Sequence, residues 1–137
     1  MACPLKVVIA RMKDHEPWWA EFWSAVGAIA WCVASIGFSP GLERMPAFAF
    51  AVAMVPPWSV YVFGLLVPAA QLWAVRADQR HARVVLCAVM SWWWAMLFLG
   101  LAIWTDFTPG MVLYAVMSLA NAVSVAVLHL PKFRIAG

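Results

Sequence analysis

Four apolar stretches, at 18–38, 58–75, 84–104 and 111–130, dominate this sequence. Each is close to the length of one bilayer crossing, about 17 to 25 residues. The rest of the chain cannot offset them. Hydrophobic residues make up 66% of it and charged residues 11%, with a mean hydropathy of +0.88. Soluble domains are nearer half apolar and a quarter charged. So few charges could not cover a water-exposed surface, and disorder requires the opposite balance of low hydrophobicity and high net charge. The sequence therefore predicts an all-α integral membrane protein, a four-helix transmembrane bundle.

The punctuation between the stretches sets the connections. Ser39-Pro40-Gly41 stops the first span and is a strong turn signal. The second ends at Arg76, and 76–83 reads as a polar, arginine-rich loop before the third. A short turn at 105–110 precedes the fourth span, which Pro131, Lys132 and Arg134 close. Segment 45–57 is harder to place. Continued into the second span it would exceed the hydrocarbon thickness, and Pro56-Pro57 should break a helix there. What remains, 47–55, is too short to cross, so a re-entrant or interfacial helix is expected between spans 1 and 2. A fifth span is the less favoured alternative.

Residues 1–17 carry Lys6, Arg11, Lys13, Asp14 and Glu16, which is no signal-peptide pattern. They are expected to form an interfacial segment that is retained, and 131–137 a short tail. With the N-terminus inside, the cytoplasmic segments hold Lys6, Arg11, Lys13, Arg76, Arg80, Arg83, Lys132 and Arg134, against Arg44 on the far side. By the positive-inside rule both termini are cytoplasmic. Trp18, Trp19, Trp23 and Trp73 then fall near the inner interface, with Trp58 and Trp104 near the outer.

Chemistry-bearing patterns are sparse. His15, His81 and His129 all fall at the cytoplasmic edge and read as interfacial polar residues rather than haem or metal ligands. Cys3, Cys32 and Cys87 form no paired framework and read as small packing residues. No nucleophile elbow, phosphate loop or zinc-protease motif appears, and the net charge of +3 is not clustered as nucleic-acid binding demands. No enzyme activity, cofactor, metal or nucleic-acid partner is expected. Glu21 lies one turn into the first helix, where it can snorkel or pair with a cation such as Lys13 or Arg134. The first and third spans share no spacing of Gly, Pro or polar residues, so inverted repeats find no support.

Two features remain. On the fourth span Ser118, Ala122 and Ala126 recur every four residues beside Asn121. Small residues let helices approach closely and an amide can bond across the contact. This face is expected to pack within the chain or, alternatively, to form an assembly seam. On the third span Trp92-Trp93-Trp94 lies deeper than an aromatic belt. Three consecutive residues spread too widely to face one partner, so one buried indole is expected to donate to the Gly64 carbonyl that Pro68 leaves without its usual donor.

The tryptophan-rich start, the stretch from Met45-Pro46 to Pro57-Trp58, the arginine-rich loop and the Leu119-Ala120-Asn121 run together resemble a recurring group. They are similar to the small polytopic membrane proteins of tailed bacteriophages and prophages, holin-like or unnamed. That resemblance implies no catalytic residues and an inner-membrane location. Two functional expectations follow. One is holin-like permeabilisation through helix–helix self-association. The other is an accessory or inhibitory subunit, including superinfection exclusion, that binds a larger membrane protein complex; aromatic spans suit lateral recognition.

Overall fold

The computed structural model describes residues 18–38, 56–104 and 106–129. They form four helices: α1 Trp18–Phe38, α2 Pro57–Arg76, α3 Arg80–Trp104 and α4 Pro109–His129. All four are long and apolar enough to cross a membrane. The re-entrant or interfacial helix expected at 47–55 lies outside the described residues.

Prolines set two of the helix starts. The bond-free first turn of a helix tolerates proline and its fixed φ favours it. α2 begins at Pro57, with the Ser59 amide donating to the Pro56 carbonyl at 2.9 Å. α4 begins at Pro109, with the Met111 amide on the Thr108 carbonyl at 3.0 Å. The arginine-rich stretch is not the loop the sequence suggested. Only residues 77–79 separate α2 from α3, and Arg80 to Arg83 form the first turn of α3. α2 closes in a Schellman pattern: Gln79 N–H donates to Ala74 O at 3.0 Å and Asp78 N–H to Val75 O at 3.3 Å. Asp78 takes the left-handed position, at φ 49°, that glycine more often fills. With its carbonyls so engaged α2 stops abruptly, and arginine, a good helix former, starts the next helix at once.

Short connections make α2–α3 and α3–α4 antiparallel neighbours, and α1–α2, α2–α3, α3–α4 and α4–α1 are the packed pairs. The helices thus form a closed up-and-down ring, with α1 facing α3 and α2 facing α4 across the two diagonals. The first residues of α1 and α3 and the last of α2 and α4 share one end, the arginine-rich end. There Arg80 caps α4, with Nε and Nη2 both donating to the Leu128 carbonyl at 2.8 and 2.5 Å. A cation on the last carbonyls of a helix also meets the negative end of its dipole.

The core is aromatic. Trp93 meets Trp31 edge-to-face with centroids 5.6 Å apart, and Trp94 stacks on Tyr114 at 5.5 Å. Gly64 lets α1 and α2 close on this cluster: a Cβ there would collide with Cys32 Sγ and come within 3.1 Å of Trp93 Cζ2. α3 and α4, the most extensively packed pair, are clasped by two serines. Ser91 Oγ donates to Ser118 O and Ser118 Oγ to Ser91 O, each at 2.9 Å.

The two halves of the ring correspond. A step of 62 residues takes Glu21 to Arg83, and the same step carries Ala25, Ala28 and Cys32 of α1 onto Cys87, Met90 and Trp94 of α3, all buried. A step of 50 takes Gln71 to Asn121, and likewise Ala74 to Ser124, again all buried. The hairpins α1–α2 and α3–α4 therefore share part of a burial pattern, as a pseudo-two-fold axis along the bundle would produce. Sequence comparison misses it because the match lies in burial and not in residue identity. Of the 21 residues of α1, only Ala20 and Trp31 recur unchanged at the 62-residue step.

Candidate functional site

Charged and polar side chains inside a membrane bundle are costly and so point to function or to the fixing of structure. Here they converge in the half of the bundle nearer the arginine-rich end. Glu21 sits on the inner face of α1 and Arg83 on that of α3, in the fourth position of each helix. The guanidinium grips the carboxylate as a fork, with Nη2 to Oε1 at 2.8 Å and Nε to Oε2 at 3.0 Å. Glu21 is 0% exposed and Arg83 2%, so this is a fully desolvated pair. Nη1 of Arg83 also reaches the exposed Asp78 Oδ1 at 3.3 Å. Among the described residues the partner of Glu21 is thus Arg83, a residue that looked like a loop cation. Lys13 and Arg134, suggested as partners, lie outside the described residues. The first turn of α3, which begins at Arg80 ahead of the apolar run, is what carries Arg83 inward.

Next to the ion pair, one polar side chain from each helix joins a single network. Asn121 of α4 stands at its centre. Its Nδ2 donates to Ser24 Oγ of α1 at 2.7 Å and to the Met117 carbonyl at 2.8 Å. Its Oδ1 accepts from Gln71 Nε2 of α2 at 3.1 Å. Trp94 Nε1 of α3 donates to the same Ser24 Oγ at 2.9 Å. Cα–Cβ bonds tilt toward a helix N-terminus, which sends the Trp94 indole back toward Ser24. Because a carbonyl only accepts, the Met117 contact fixes which end of the Asn121 amide is nitrogen, and that in turn fixes Gln71. Gln71 Nε2 also faces Cys87 Sγ at 3.4 Å. Its Oε1 is left as the one buried side-chain polar atom without a partner among the described residues.

The structure distributes the sequence's candidates unevenly. Asn121 and Ser118 turn toward the bundle interior, Asn121 into the network and Ser118 into the Ser91 clasp. Ala122 and Ala126 face outward on α4. Of the three tryptophans, Trp93 and Trp94 are buried while Trp92 is 57% exposed, beside Phe63 at 6.4 Å. The hydrogen-bonded indole is Trp94, and its acceptor is Ser24 rather than the Gly64 carbonyl. Sequence reasoning passed over Ser24, Gln71 and Arg83. The usable signal was the presence of a glutamine and a serine within apolar spans, where polar side chains face protein.

Chemically, the cluster is a set of donors and acceptors, engaged with one another apart from Gln71 Oε1, that fixes the rotation and depth of four helices. Among the described residues, no three His, Cys, Asp or Glu side chains are grouped to hold a metal ion. His81 and His129 are exposed at the arginine-rich end. The exterior is the reverse of the core. Apart from Arg76, His81 and His129 near the helix ends, the exposed side chains of the described spans are apolar, among them Val33, Leu66, Leu99, Val116 and Leu119. Exposed tryptophans gather near the arginine-rich end, where Trp18, Trp19, Trp23 and Trp73 lie. Comparison with protein-family models, with curated proteins and with solved structures finds no match to the chain.

Proposed function

We propose that this chain is a binding subunit of the phage type, one that docks laterally on a larger membrane protein complex as an accessory or inhibitory partner in a bacterial inner membrane, with both termini cytoplasmic. The observation that carries the reading is the direction of its polar groups. Glu21, Ser24, Gln71, Arg83 and Asn121 are all buried within one chain. What the bundle offers its surroundings at mid-depth is apolar, with the large flat side of Trp92 half uncovered. Exposed aromatic anchors are the side chains that dominate buried protein contacts.

The holin-like reading needs something else. Self-assembled helices that enclose water must present a polar face to it. Ser118 and Asn121 are spent on contacts inside the chain. Ala122 and Ala126, though exposed, bring only close approach and no group for water to bond. The docking reading therefore fits the side-chain distribution better.

The test is a photo-crosslinking residue placed at Trp92 in the full-length protein, in native membranes. Docking predicts one discrete adduct with a different membrane protein, lost when the probe is moved to Leu119 on the outer face of α4. A ladder of self-adducts from either position would instead favour lateral self-assembly.

A further inference from the structure

We propose that the two hairpins are interchangeable halves, that the interface each presents also fits the complementary hairpin of a second copy of this chain, and that Glu21 and Arg83 decide which hairpin can pair with which. The inference does not depend on the docking reading. It rests on which residues meet across the diagonals. Glu21 touches Arg83, its own equivalent at the 62-residue step. Trp31 touches Trp93, again its equivalent. Gln71 touches Asn121, its equivalent at the 50-residue step. The first and last contacts set the two steps, and Trp31–Trp93 falls on the 62-residue step independently. Contacts between corresponding positions are what a two-fold axis produces in a symmetric dimer, where a residue on the axis meets its own counterpart.

Two of the three pairs would tolerate self-pairing. Tryptophan can meet tryptophan, and either amide can bond its own copy. The third would not. An α1–α2 hairpin paired with another α1–α2 would bury two carboxylates together, and α3–α4 with α3–α4 would bury two guanidiniums. Like charges brought together without water are strongly disfavoured, and this is how an interface rejects a wrong partner. Only the pairing of a first hairpin with a second hairpin brings opposite charges together. The three-residue connection at 77–79 supplies that partner within the chain. Its short length gives the internal hairpin a high effective concentration, so the closed single chain dominates. Exchange with a second copy uses the same interface and becomes the stable alternative when internal pairing is spoiled.

The test uses full-length chains carrying Glu21→Arg or Arg83→Glu, with different tags. Alone, each variant sets like charges on the axis, both in the closed chain and in an exchanged pair. It should accumulate in membranes at least fivefold below the original protein. Expressed together, the first hairpin of one variant complements the second hairpin of the other. Accumulation should recover to at least half, and the two tags should co-purify at least tenfold more than when either variant is expressed with the original protein. The reversal E21R/R83E in a single chain should restore accumulation without co-purification. Single variants that accumulate normally would show that the pair does not govern pairing. A double reversal no better than the singles would overturn the equivalence of the two positions. Restoration by the double reversal with no co-purification of the two singles would overturn exchange between chains.

Discussion

The Arg83 guanidinium holds the Glu21 carboxylate through two hydrogen bonds, 2.8 and 3.0 Å long, across the diagonal between α3 and α1. Neither helix packs extensively on the other there, so the two long side chains bridge the gap themselves. Removing one partner strands a charge in a water-free site. Arg83→Ala should therefore destabilise the fold by about 3 to 5 kcal/mol. Arg83→Lys should also weaken it, because an ammonium cannot reproduce the two-toothed grip. Unfolding in mixed detergent micelles measures both, and an Arg83→Ala protein as stable as the original would remove the pair from the account.

Asn121 ties α1 and α2 to α4. Asn121→Leu breaks its bonds to Ser24, Gln71 and Met117 while keeping a similar volume. Interhelical hydrogen bonds in membranes are worth about 0.6 to 2 kcal/mol. A loss of that size should appear in the same unfolding assay, with a change in Trp94 fluorescence as the Ser24 hydroxyl loses a neighbour. An unchanged unfolding midpoint would mean that the network positions nothing.

Much of this architecture was legible because the bilayer simplifies the reading. Spans 18–38 and 84–104 fall within α1 and α3 as observed, since an apolar run is a sufficient signal where the solvent is hydrocarbon. Pro56-Pro57 correctly opened α2, because a missing amide has one consequence wherever it occurs. The candidate site was much less legible. Arg83 looked like a loop charge because a run of polar residues beside a span is usually interfacial. Only the Schellman closure of α2, with Asp78 in a left-handed conformation, lets α3 start early enough to draw it inside. Gln71 and Asn121 are 50 residues apart, and no local pattern joins them. The shared burial pattern was hidden for a related reason: equivalent positions are filled by different side chains, alanine in α1 where α3 has larger residues.

Gly64 is a close-approach position. Gly64→Ala must push Cys32 and Trp93 aside and should cost about 1 to 3 kcal/mol, as overfilling a packed site does, with Gly64→Val worse. Gly37, whose Cβ would meet nothing within 4 Å, is the control, and Gly37→Ala should leave stability unchanged or slightly raised. Equal effects at the two glycines would contradict the close packing of α1 on α2.

Asp78 combines a left-handed backbone with a contact to Arg83. Glycine adopts φ 49° without steric cost, a gain of about 1 kcal/mol. The carboxylate it removes is exposed, and such ion pairs are worth about 0 to 1 kcal/mol. Asp78→Gly should thus be neutral or mildly stabilising by thermal unfolding. A clear loss of stability would assign the Arg83–Asp78 contact a larger share of the ion-pair cluster than its exposure allows.

The central claim is that the polar groups of this chain serve its own interior and its exterior serves docking. The most direct measurement is membrane potential, read with a voltage-sensitive dye in bacteria during induced expression of the full-length protein. The account predicts a normal potential at high expression, and the same normal potential for Ala122→Phe. Depolarisation on induction, abolished by Ala122→Phe in a protein that still inserts, would contradict it and establish that chains assemble through α4 to breach the membrane.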